Sequence, residues 1–309
     1  TMTKTSWNIT RRDFLKRSGA LVGFGSTASW ALGKDESGKE PPLFRCGVVT
    51  DTHYADREPK GTRYYRQSLK KLQECIDKMN TQDLEFLIEL GDFKDERETR
   101  LESETLDFLR EIESVFAGYR GHRYHVLGNH DLDSISKAQF QQVVNNTGIP
   151  PEKTWYSFDR GNLHCVVLDA NFRNDGVPYD HGNFSWRDPN IPQEQLEWLR
   201  KDLGSTRKPI LIFCHQLLTG VAPSSVINAG EVRAVLEDYG HKVLAAFHGH
   251  KHEGDHQEIN GIHYYTHKAV VEGDGPENNA YSTVEVFRNG DIQITGYRQA
   301  ESRFLAESS

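Results

Sequence analysis

The run Phe44-Arg45-Cys46-Gly47-Val48-Val49-Thr50-Asp51-Thr52-His53 decides how this chain reads. An apolar stretch suited to a buried strand passes without a turn signal into an aspartate and a histidine, two side chains that bind metal ions or move protons. In open α/β sheets ligands bind at the carboxyl ends of the strands. The same pattern recurs twice more. Leu84 to Leu90 is a second apolar run and ends in Gly91-Asp92-Phe93-Lys94-Asp95, and Arg123 to Leu127 is a third and ends in Gly128-Asn129-His130-Asp131. Between them, Arg63 to Met79 has helical spacing, with Tyr65, Leu69, Leu72, Ile76 and Met79 on one face. Thr99 to Phe116 reads as a second helix, with Leu106, Leu109 and Val115 as core candidates. This βαβαβ alternation predicts parallel strands joined by crossover helices.

Downstream, Trp155 to Phe158 and Leu163 to Leu168 read as paired strands around the turn Asp159-Arg160-Gly161-Asn162. Gln193 to Leu203, after Pro192, is an amphipathic helix, and Val232 to Tyr239 is helical. Pro209 to Cys214 is a strand running into a lone His215, and Val243 to Phe247 runs into His248-Gly249-His250-Lys251-His252. Gln257 to Arg298 holds short strands with turns at Asn260-Gly261 and Asn289-Gly290. Asn171 to Ile191 is a long loop with Phe172, Tyr179, Phe184 and Trp186 but no clear period, which marks a lid or binding loop.

Five histidine, aspartate and asparagine clusters in series, each after an apolar run, point to a two-metal site. Carboxylate and imidazole suit manganese, iron or zinc, and the absence of thiolate among them argues against a closed structural zinc site. In an extended segment Asp51 and His53 project to the same side, so both reach one ion. Two such ions clamp a phosphoryl group and make a nucleophile from water at neutral pH. Asp131 reads as a structural cap, and His248 and His263 as packing residues. Cys46, Cys75, Cys165 and Cys214 show no paired spacing and read as small buried hydrophobes, with one disulfide left open.

The five motifs together resemble the calcineurin-like metallophosphoesterase superfamily, over Phe44 to about Arg298. The resemblance implies an α/β fold, a four-layer α/β/β/α sandwich of two mixed sheets flanked by helices. It places Asp51, His53 and His252 on one metal, Asn129, His215 and His250 on the other, and Asp92 between them. It implies attack on phosphorus by a hydroxide bridging the metals. His130 would stand near the leaving oxygen as proton donor, with Asp95 orienting it. A narrower similarity, in Tyr54-Ala55-Asp56 and Gly61-Thr62-Arg63-Tyr64-Tyr65-Arg66-Gln67-Ser68-Leu69, is to the manganese-dependent ADP-ribose/CDP-alcohol diphosphatases. It makes Arg63, Arg66 and Tyr54 candidates for substrate binding, the arginines for phosphate and the aromatics for a base. One departure is His53, where that group commonly has glutamine. The expected function is a metal-dependent phosphoesterase acting on phosphate monoesters. A nucleotide diphosphatase or phosphodiesterase of the ADP-ribose or CDP-alcohol type is the alternative, and a catalytically silent metal-binding sensor a third reading.

The ends of the chain carry a different message. Thr10-Arg11-Arg12-Asp13-Phe14-Leu15-Lys16 resembles a twin-arginine export signal, followed by an apolar stretch from Gly19 to Leu32 too short for a membrane span. Residues 1–31 are therefore expected to be a signal peptide handled by the twin-arginine translocase and cleaved after Ala31. Residues 32–42 read as a linker, 43–300 as the phosphoesterase domain and 301–309 as a tail. The expected destination is the periplasm or the exterior. The chain's net charge is -8, and because residues 1–31 hold five cations and one acid, the remainder carries -12. So acidic a body argues against a nucleic-acid polymer as partner and leaves a small phosphorylated substrate, since bound metals reverse the local sign.

Overall fold

Alternation along β1 (Phe44–Val49) sets the layers: Phe44, Cys46 and Val48 face one apolar cluster and Val49 faces another. A strand buried on both faces belongs in the middle of a sheet covered on both sides. β2 (Phe86–Glu89) and β3 (His122–His125) lie parallel to it in succession, with Val48 opposite Ile88 and Ile88 opposite Tyr124. The crossovers run through α1 (Ser68–Met79) and α2 (Glu102–Phe116). α3 (Lys137–Val143) follows, started by a reciprocal cap between Ser136 and Gln139.

A second sheet is built from β4 (Tyr156–Arg160), β5 (Leu163–Leu168), β6 (Ile210–Cys214), β7 (Val243–His248), β8 (Asp255–Ile259) and β9 (Ile262–Thr266) in the order β4-β5-β6-β7-β9-β8. Its central pairs are parallel and its outer pairs antiparallel. α4 (Gln193–Ser205) and α5 (Ala229–Glu237) cover its outer face. The chain then returns to the first sheet as β10 (Ala280–Val286), β11 (Ile292–Arg298) and β12 (Arg303–Leu305), giving the order β12-β11-β10-β1-β2-β3. The sheets face each other across a core in which Phe86 meets Tyr124, Phe158 and Phe213 edge-on. The architecture is the expected four-layer sandwich of two mixed sheets flanked by helices.

This computed structural model describes residues 41–220 and 223–306. The export signal, its cleavage point and most of the linker lie outside the described residues. Among the described residues no helix is long and apolar enough to cross a membrane. All four cysteines are free and buried.

Three local expectations are corrected. The first helix begins at Ser68, after a 3-10 turn Tyr65–Gln67, because the Tyr64 N–H is held by Val271 O and Arg63 bridges Glu272. In α2 the buried face is Thr105, Phe108, Leu109, Ile112 and Phe116, while Leu106 and Val115 are only partly buried at its margin. The tail beyond residue 300 is part of the domain: β12 pairs with β11, and Leu305 is buried in the core between the sheets.

Candidate metal centre

The loops that follow β1, β2, β3, β6 and β7 meet at one edge of the sandwich. Strand-like pairing continues into them: Asp51 N–H donates to Gly91 O at 3.0 Å, His53 N–H to Asp92 O at 2.8 Å, and Gly249 N–H to His215 O at 3.1 Å. Asp51 and His53 do not reach one side by being extended, as the sequence suggested. They stand at φ 53° and 45°, and Asp92 and His250 at 54° and 67°. Left-handed backbone is costly for such residues and is kept where surrounding bonds impose it. Glycine lets the loops close. A Cβ on Gly128 would lie 2.1 Å from Asp92 N, and one on Gly249 would lie 2.1 Å from Thr50 Oγ1. Asp131, read from sequence as a structural cap, joins the loops: its carboxylate accepts from the N–H groups of Asp92, Phe93, Lys94 and Gly128 at 2.8 to 3.2 Å.

The imidazoles share one arrangement. Nδ1 of His53 faces Asp95 Oδ2 at 3.1 Å, Nδ1 of His215 faces Leu90 O at 2.8 Å, and Nδ1 of His252 faces Glu272 Oε1 at 2.5 Å. Each bond fixes the ring and turns Nε2 inward as the free donor, as at metal centres. His53 Nε2 then lies 3.6 Å from Asp51 Oδ1, 3.5 Å from Asp92 Oδ2 and 3.2 Å from His252 Nε2. His252 Nε2 is 3.4 Å from Asp51 Oδ1, and His215 Nε2 is 3.1 Å from Asp92 Oδ2. Donors bonded at about 2.1 Å to a common ion stand about 3.0–3.5 Å apart, so these separations suit shared ions. Two three-donor groups result, Asp51 with His53 and His252, and Asp92 with His215 and His250; Asp92 also groups with His53 and His130. Asn129 Oδ1 is buried with no hydrogen-bond partner, a lone pair that a cation would satisfy.

The electrostatics agree. Burial by itself raises Asp51 and Asp92, but the imidazoles beside them hold both carboxyls well below the usual range. Burial by itself lowers His215, His252 and His130, but the facing carboxylates outweigh it and bring them to about 9, 9 and 10. A site that draws protons so strongly is one where metal cations would displace them. His250 goes the other way, to about 3, through burial and the charge of His215, which keeps it an unprotonated donor.

The sequence candidates for catalysis and substrate binding fare unevenly. His130 sits at the cleft with its side chain 30% exposed. Asp95 does not bond to it: its Oδ2 stands 3.9 Å from His130 Nδ1, whose partner is Asp133 Oδ2 at 2.6 Å. Arg63 lines the cleft, 3.9 Å from Glu272. Arg66 is corrected; it turns outward to Asp56 at 2.5 Å and Glu58 at 2.7 Å. Tyr54 is corrected as well, being buried against Phe108 with its hydroxyl on Glu111.

Three residues that sequence reasoning did not single out matter here. Asp133 stands three positions after His130 and was legible as its helical-turn neighbour. Arg57 and Glu272 carried no motif signal, and only folding brings them to the cleft. The long loop supplies the far wall: Tyr179 stacks on Phe184, and the Trp186 ring lies 5.8 Å from that of His250. Arg57, Lys60, Arg63, Arg97 and Arg100, with Asp95, Glu96, Glu98 and Asp133 among them, line a cleft of about 790 Å³ beside Asn129 and His130.

Comparison with known proteins gives a consistent result. The family model described as calcineurin-like phosphoesterase matches residues 44–254. A manganese-dependent ADP-ribose/CDP-alcohol diphosphatase from Oryza sativa subsp. japonica is 27% identical over 86% of this chain and 95% of its own length. One of the same name from Arabidopsis thaliana is 25% identical over 86% of this chain and 98% of its own. Among solved structures, a dimetal phosphatase from Danio rerio superposes with a TM-score of 0.72 at 21% identity, covering 86% of this chain and all of that one. Purple acid phosphatase from yellow lupin superposes at 0.56 with 15% identity, covering 87% of this chain and 53% of that one.

Proposed function

This chain belongs to the calcineurin-like phosphoesterase family, and from that premise we propose that it hydrolyses the phosphoanhydride of a small nucleotide-type diphosphate, with manganese as its working metal. Asp51, His53 and His252 would hold one ion, and Asn129, His215 and His250 the other, with Asp92 shared. Bound there, the ions supply an activated water and neutralise charge on the phosphoryl oxygens. The protein's own residues do the rest. Arg57 and Arg63 oppose the charge of the phosphates, since guanidinium matches phosphate geometry. Trp186 offers an aromatic face beside His250. His130, protonated through its carboxylate neighbours, passes a proton to the oxygen that leaves when the P–O bond breaks.

The observation that carries this reading is the cleft. Beside Asn129 and His130 it encloses about 790 Å³, lined by five cationic side chains, four acidic ones and Trp186. Arg57, Arg97 and Arg100 already face Asp95, Asp56 and Glu96, and a cleft of this volume with an aromatic face at His250 has room for far more than a single phosphate. The rice and Arabidopsis relatives, named for ADP-ribose and CDP-alcohols, support the same substrate class. This reverses the order of the sequence reading, in which the monoester came first. The test is kcat/KM with added Mn²⁺ on ADP-ribose and on 4-nitrophenyl phosphate side by side. ADP-ribose is expected to dominate. A dominant monoester rate would return the protein to the phosphatases, and two bound ions with no turnover of either would favour a sensor.

Export is also proposed, on Arg11-Arg12 and the stretch behind them. The double variant Arg11→Lys, Arg12→Lys should leave the protein in the cytoplasm; unchanged export would remove the twin-arginine reading.

A further inference from the structure

We infer that Asp133, rather than Asp95, is the positioning residue for His130, and that Asp95 serves the metal ligand His53 instead. The inference rests on the function just proposed, in which His130 faces the leaving oxygen. Both carboxylates lie beside the His130 ring, and distance separates their roles. Asp133 Oδ2 stands 2.6 Å from His130 Nδ1, a hydrogen bond, while Asp95 Oδ2 stands 3.9 Å away, which is not one. That same Asp95 oxygen is 3.1 Å from Nδ1 of the fully buried His53. The other oxygen of Asp95 accepts the N–H of Glu96 at 2.7 Å and lies 3.6 Å from Arg57 Nη1. Asp95 is thus engaged on both oxygens before His130 is considered.

The arrangement has a local cause. His130–Leu132 is a 3-10 turn, and in that geometry side chains three apart eclipse one another. Residues 130 and 133 therefore meet through backbone geometry alone. The rings of His53 and His130 touch edge to face, with centroids 4.8 Å apart, so the two histidine–carboxylate pairs stand side by side without exchanging partners. Holding Nδ1–H on Asp133 leaves Nε2 as the nitrogen presented to the cleft. Two acids that sequence treats alike then have separable jobs, one in proton delivery and one in holding a metal ligand.

The experiment compares Asp133→Ala, Asp133→Asn and Asp95→Asn with the wild-type protein. Bound Mn²⁺ is counted after gel filtration, and kcat is measured on the 4-nitrophenyl and phenyl esters of thymidine 5′-monophosphate. Phenolate is the poorer leaving group and needs the proton. Asp133→Ala is expected to keep its Mn²⁺ and to lose on the order of 100-fold on the phenyl ester while losing little on the nitrophenyl ester. Asp133→Asn, which keeps an acceptor for Nδ1–H, should fall between. Asp95→Asn should lose Mn²⁺ and slow both esters together. A phenyl-selective loss in Asp95→Asn, or an equal loss on both esters in Asp133→Ala, overturns the assignment. If the wild-type protein turns over neither ester nor ADP-ribose, the proposed function fails, and the metal count still decides: Mn²⁺ lost from Asp133→Ala and kept by Asp95→Asn overturns the inference.

Discussion

Asp131 is not among the proposed metal ligands, yet two of their loops are tied to it. Four N–H groups converge on its buried carboxylate, those of Asp92, Phe93, Lys94 and Gly128. Charge-assisted bonds of this kind are about twice as strong as neutral ones, and removing the acceptor strands buried donors. Asp131→Ala is therefore expected to cost about 3 kcal/mol in urea unfolding. It should also lower Mn²⁺ occupancy, because Asp92 and the loop of Asn129 lose their common anchor. Full occupancy with reduced stability would confine Asp131 to the fold. At this scale the sequence was informative about residue type and less so about partners. Asp51, His53 and His250 gather in the candidate donor groups, but Tyr54 faces the core and Arg66 faces its own acidic neighbours, since nothing local dictates which way such side chains turn.

Elements join through their termini and edges, and one such joint carries a pH signature. His164 on β5 lies between Asp159 of β4 at 2.7 Å and Asp202 of α4 at 2.8 Å. Burial by itself lowers its pKa, but the two carboxylates outweigh that and raise it above the ordinary value. A histidine raised on folding stabilises fully below its unfolded pKa of about 6.5, and the gain is lost as pH rises through the folded value. The difference in unfolding midpoint between the wild-type protein and His164→Gln should therefore be largest near pH 5.5 and shrink above neutrality. A difference that grows with pH would contradict the pairing. The elements themselves were legible because each strand's apolar run and each helix's spacing is local. The start of α1 and the face of α2 were not, because pairing with residues 271–273 and packing against the sheet decided them.

For the whole molecule, the strained ligand backbones and unpaired donors make metal binding a stability term. Asp51, His53, Asp92 and His250 all sit at positive φ, and cations would offset the cost of gathering carboxylates beside them. A ligand that binds only the folded state stabilises it by about 2.7 kcal/mol at a hundred times its Kd. Mn²⁺ should accordingly raise Tm in a concentration-dependent way, and EDTA should lower it and speed amide exchange in the loops at 51–53 and 249–252. A Tm indifferent to both would mean that these donors do not hold ions in the folded protein.

The order of the motifs, their place after apolar runs and the chemistry of their donors are properties of the chain itself, and they pointed to parallel α/β structure and a two-metal site, while the layers and the ligand sets were implied by the family resemblance. Periodicity and donor type are local, so sequence carries them. The pairing of His53 with Asp95 and of His252 with Glu272, the inclusion of β12 in the first sheet and the charged lining of the cleft belong to the tertiary structure alone. Glu272 and His252, or Arg57 and Asp95, are distant in sequence and meet only because strand order brings their loops to one edge. The turn at His130 brings Asp133 to it by local geometry, whereas the bond between Asp95 and His53 exists only because β1 and β2 lie side by side.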